Sequence, residues 1–118
     1  MEDLAPNIHR QRCIVEGLYT ADITPSKLKK FMNDLSVKVG MTIIYGPIVK
    51  NLAGKVNPKH KGFECILIWA ESGSSVYTWE NEKFFTLDLY SCKKYDINVV
   101  VEFAKEFFKA TKIISRDA

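Results

Sequence analysis

A chain of 118 residues is enough for one domain with a real core and too short for two independently folding units, so residues 1–118 are read as a single domain. Apolar residues make up 47% and charged residues 26%, a balance that excludes disordered and fibrous classes, and a net charge of +3 is too mild to imply a nucleic-acid or membrane partner. No apolar run is long enough to cross a bilayer, and Met1 to Ile8, with two acids among its first three residues, does not read as a signal peptide, so a cytoplasmic protein is expected. Cys13, Cys65 and Cys92 are odd in number and widely spaced, which indicates neither a disulfide framework nor a zinc knuckle. With only His9 and His60, both in segments that read as exposed connections, no metal site is expected.

Residues 1–9 are polar, contain Pro6 and read as a loose arm. Gln11 to Tyr19 alternates as a strand, with Cys13, Val15, Gly17 and Tyr19 on one face. Thr24 and Pro25 then start a helix, the first as cap and the second at the first helical position, where its missing N–H does no harm. Leu28, Phe31, Met32, Leu35 and Val39 recur at helical spacing, and Gly40 closes the helix. Met41 to Val49 is a second strand, and Gly46-Pro47 within it implies an edge position or a bend. Lys50 to Lys61 is a basic loop with no acid in it, readable as a solvated connection or as a phosphate or carboxylate contact.

Phe63 to Trp69 is apolar on both faces except at Glu64, the pattern of a central strand covered on two sides. A turn expected at Ser72 to Ser74 leads into a strand ending at Trp79, Glu80 to Glu82 makes a charged hairpin connection, and Lys83 to Ser91 returns with Phe85, Leu87 and Leu89 on one face. Asp96 caps a second helix with Ile97, Val100, Val101, Ala104, Phe107 and Phe108 as its stripe, and Ile113-Ile114 is a short last strand. The order predicts an α+β two-layer sandwich, a largely antiparallel sheet with two helices on one face. Trp69, Trp79 and Phe84 are expected on the other face, which a homodimer would bury.

Ala70-Glu71-Ser72-Gly73 reads either as ordinary hairpin punctuation or as a strained turn of the kind found at functional positions. From here to Cys92, the residues Ala70-Glu71-Ser72, Ser75, Thr78-Trp79, Asp88 and Cys92 resemble the core of the prokaryotic S-adenosylmethionine decarboxylases, small pyruvoyl enzymes of polyamine (spermidine) synthesis. Ile14 to Tyr19 is also similar to that family's first strand.

The resemblance implies an autocatalytic cleavage in which Ser72 attacks the Glu71 carbonyl and leaves a pyruvoyl group derived from Ser72, with no metal. That ketone takes up the substrate amine and accepts electrons as carbon dioxide leaves, a role other enzymes give to a bound cofactor. It implies Cys92 as the proton donor to the product, and S-adenosylmethionine, or another amino acid such as arginine, as substrate.

The chain departs from the family pattern at both processing helpers. Tyr77 stands where the family has a histidine five residues after the serine, and Glu64 where it has a serine eight residues before. The acid used on the substrate ribose would fall at Asn81, between Glu80 and Glu82, so that Trp79, Glu80, Asn81 and Glu82 are the candidate substrate-binding residues. A non-cleaving homologue acting as a ligand-binding or regulatory protein is the alternative.

Overall fold

The computed structural model describes residues 1–52 and 60–118, which leaves the middle of the expected basic loop, with Lys55 and Lys59, outside the described residues. Residues 1–10 form neither helix nor strand. The elements that follow are β1 (Gln11–Leu18), α1 (Pro25–Lys38), β2 (Ile43–Asn51), β3 (Phe63–Trp69), β4 (Ser72–Trp79), β5 (Phe84–Ser91), α2 (Ile97–Phe108) and β6 (Lys112–Asp117). Among the described residues, six strands form one antiparallel sheet in the order β2-β3-β4-β5-β1-β6. Among the described residues, no helix is long and apolar enough to cross a membrane.

Both helices begin as their sequences predict. The Thr24 hydroxyl accepts the Lys27 N–H at 3.2 Å, the Asp96 carboxylate accepts the Asn98 N–H at 2.9 Å, and Gly40 takes a φ of 75° just beyond the end of α1. Helix α1 packs over β2 and β3, and α2 over β1 and β6. Between them and the sheet lie Cys13, Val15, Cys65, Leu67, Val76, Phe85, Leu87 and Leu89, every one at the inward parity of its strand. Phe85 stacks on Phe108 with ring centroids 3.9 Å apart, and Phe31 joins the two helices by meeting Phe103 and Phe107. Full burial of each such side chain contributes about 1.5–3 kcal/mol, so this layer supplies most of the driving force.

The structure corrects several expectations. Trp69 lies on the helix side, because it shares parity with Cys65 and Leu67; it is 1% exposed, and its indole N–H donates to Ser36 Oγ at 2.8 Å. The alternate positions Ile66 and Ile68 take the open face instead, at 45% and 47% exposure, so β3 is covered on one side within the chain. The turn expected at Ser72 to Ser74 is shorter and earlier, since Ser72 already pairs with Trp69 and only Ala70 and Glu71 remain outside the strands. At β2 the Gly46-Pro47 signal gives both of its readings, an edge strand whose register shifts between Ile43 and Tyr45 and again between Tyr45 and Ile48, across Gly46-Pro47 itself. The last strand runs longer than Ile113-Ile114 because β1 offers it a paired edge from Cys13 to Leu18.

Candidate active site

Two-residue hairpin loops match the twist of their strands by taking positive φ inside the loop. Neither Ala70 nor Glu71 does so, and a φ of 137° falls on Ser72 instead. For a residue with a Cβ this costs about 1–3 kcal/mol, and it places the strain at the Glu71-Ser72 bond.

Backbone contacts from two directions hold that bond. Ser72 pairs with Ser91, so the next residue along, Cys92, brings its N–H opposite the Glu71 carbonyl and donates to it at 2.9 Å. From the other side, the Thr42 N–H donates to Glu71 Oε1 at 2.9 Å and the Ala70 N–H donates to the Thr42 carbonyl at 2.8 Å. Thr42 is itself placed by the end of α1, where the Met41 N–H donates to the Ser36 carbonyl at 2.9 Å. Lys93 closes the ring by donating from Nζ to the Gly40 carbonyl at 2.7 Å. The Thr42 N–H is the main reason that the Glu71 carboxyl is held below the usual range, with the Lys93 charge a smaller contribution. An N–H aimed at a carbonyl oxygen stabilises the negative charge that develops when a nucleophile adds to its carbon. The Ser72 hydroxyl, a group chemically able to act as such a nucleophile, belongs to the next residue along.

Glu71, Ser72 and Cys92 are thus brought together, with Cys92 exposed at the end of β5. Glu64 and Tyr77 are also brought together, as direct partners across β3 and β4, and both are half-buried. They are not brought to the turn: Tyr77 is five residues along β4 from Ser72, about 16 Å at the rise of an extended strand. Trp79 is farther still, and Glu80, Asn81 and Glu82 are exposed at the opposite end of the β4–β5 hairpin. There the His60 ring stacks on Trp79 at 4.5 Å and 8°, which makes His60 half-buried rather than exposed as expected, and Phe84 tilts against the same indole.

The open face of the sheet carries a cavity of about 590 Å³ beside the turn, lined among others by Arg12, Ile14, Ser72, Ser75, Asp88 and Tyr90. The Arg12 guanidinium lies 4.1 Å over the Tyr90 ring. Burial, and then the Glu16 charge, push the Asp88 carboxyl above its ordinary value. Thr42 and Arg12 were not legible as site residues, the first because it acts through its main chain and the second because only strand pairing brings it beside Ser72.

The fold and site define a class of α+β sandwiches in which a strained serine follows a carbonyl held by a main-chain N–H. Residues 14–118 match the family model for S-adenosylmethionine decarboxylase, and the chain belongs to that family. A search of curated proteins finds no match. Among solved structures, the chain is similar to the crystal structure of the adenosylmethionine decarboxylase from Aquifex aeolicus VF5, with a TM-score of 0.73 at 14% identity over 94% of this chain and 89% of that one, a likeness of fold.

Proposed function

We propose that the chain is a pyruvoyl-dependent decarboxylase that cleaves itself between Glu71 and Ser72 and acts on S-adenosylmethionine in polyamine (spermidine) synthesis, or on another amino acid such as arginine. The observation that carries this reading is the Cys92 N–H on the Glu71 carbonyl at 2.9 Å, next to a serine with a φ of 137°. In the first step the Ser72 Oγ–Glu71 carbon bond forms, the Glu71–Ser72 amide bond breaks, and the hydroxyl proton passes to the freed nitrogen. Loss of the Ser72 Cα proton then expels the Glu71 carboxylate, and water replaces the nitrogen, released as ammonia.

The residues present fit a pyruvoyl group, because its precursor Ser72 lines the open-face cavity and needs no metal to hold it. When formed, the group supplies an electron sink for loss of carbon dioxide. Cys92 is the proton donor in this reading, and Trp79, Glu80, Asn81 and Glu82, at the far end of the β4–β5 hairpin, would contact a substrate held at the Ser72 of a second copy.

Tyr77 and Glu64 replace the usual processing pair. Because they stand about 16 Å along the strand from Ser72 in their own chain, they would serve the Ser72 of a second copy. Exposed Ile66 and Ile68 on the open face support a homodimer packed through that face, which would cover them. The same observation favours the second reading. A tyrosine and a carboxylate in place of the usual pair suit a homologue that no longer cleaves and binds a ligand or regulates a partner.

Intact mass of the purified chain decides between them. Fragments covering residues 1–71 and 72–118, lost in Ser72→Ala, are the expected result. A chain that stays whole after prolonged incubation excludes the decarboxylase.

A further inference from the structure

The Glu71 carboxylate is fixed to the Thr42 N–H at 2.9 Å, while the carbonyl of the same residue accepts the Cys92 N–H at 2.9 Å. The two donors lie in segments 50 residues apart that the fold brings to one turn, and the Ala70 N–H on the Thr42 carbonyl at 2.8 Å makes the first attachment double. Thr42 rests on α1 through the hydrogen bond of its neighbour Met41 to Ser36. A two-residue loop without glycine has little else to define where its carbonyl points. We propose that the Glu71 side chain is a positioning residue for breaking the Glu71-Ser72 bond: its attachment to Thr42 anchors the turn to α1 and holds the Glu71 carbonyl on the Cys92 N–H.

This role rests on the self-cleavage reading for its chemistry, while the geometry beneath it can be tested separately. The side chain needs only an oxygen that accepts the Thr42 N–H, so an amide serves as well as a carboxylate. Cleavage is followed by intact mass in freshly purified wild type, Glu71→Gln and Glu71→Ala. Glu71→Gln cleaves within about threefold of wild type, and Glu71→Ala is slowed about tenfold or more at an unchanged thermal midpoint, as misplacement of a reacting group predicts.

In a Ser72→Ala background, where no cleavage intervenes, hydrogen exchange of the Cys92 amide is measured by NMR. It quickens about tenfold when Glu71→Ala is added and does not change with Glu71→Gln. Cleavage of Glu71→Ala at the wild-type rate, a Glu71→Gln variant as slow as Glu71→Ala, or an unaltered Cys92 amide overturns the proposal. If wild type never cleaves, the decarboxylase reading falls, and the exchange measurement alone decides whether Glu71 holds the turn.

Discussion

Glu64 and Tyr77 face each other across β3 and β4, so the two residues proposed to replace the processing pair sit side by side in one antiparallel register. A change at one position therefore alters the surroundings of the other, and the two substitutions are expected to act together rather than additively. An imidazole takes up a proton at neutral pH far more readily than a phenol does and is the better base there. Glu64→Ser with Tyr77→His is expected to raise the rate of Glu71-Ser72 cleavage by about 100-fold, in the range that a positioned acid or base contributes. Intact mass over time checks this. A double variant no faster than wild type would place the limiting factor in the turn.

Ser36 and Trp69 form the main polar joint between α1 and the sheet. The indole N–H donates to Ser36 Oγ at 2.8 Å, and that hydroxyl donates onward to the Met32 carbonyl at 2.7 Å, all of it buried. Ser36→Ala leaves the Trp69 N–H with no acceptor and is expected to cost about 1–3 kcal/mol. Urea unfolding followed by tryptophan fluorescence reads the loss, and Ser36→Ala with Trp69→Phe should recover part of it because the orphaned donor is gone.

The alternation of β5 and the caps of both helices were legible because they depend on neighbours in sequence, as at Thr24 with Lys27 and Asp96 with Asn98. The side on which Trp69 falls depended on where the β3–β4 turn is placed and on Ser36, 33 residues away, so composition alone favoured the wrong face. At the site, the serine and the cysteine carried a spacing that could be read. The main-chain donors of Thr42 and Cys92 had no side-chain signature, and neither did the stacking of His60 on Trp79.

Cysteine reactivity should separate the three thiols. Cys13 and Cys65 are 1% and 0% exposed, and burial pushes both thiols up, whereas Cys92 is exposed. Iodoacetamide on the native chain is expected to give one adduct, at Cys92, with Cys13 and Cys65 labelled only in denaturant. Peptide mapping locates the adducts. Native labelling at Cys65 would mean that β3 opens readily from α1.

Alkaline pH should weaken the fold through the same buried thiols. Burial raises Cys65 to about 11, while an unfolded thiol titrates near about 8.5, so the folded chain binds the proton more tightly. The associated stability is complete below about pH 8.5 and is lost as pH rises through about 11, where both states are ionised. Cys13 and Tyr95 move in the same direction, each mainly by burial, and add to the trend. The urea midpoint is expected to hold between about pH 7 and 8.5 and then fall, with Cys65 contributing at most about 3 kcal/mol. Cys65→Ala should start lower, because it leaves a small void, and should fall less steeply above about pH 9, because the group that ionises is gone. Parallel pH profiles for wild type and Cys65→Ala would assign the alkaline loss to Cys13 and Tyr95 instead.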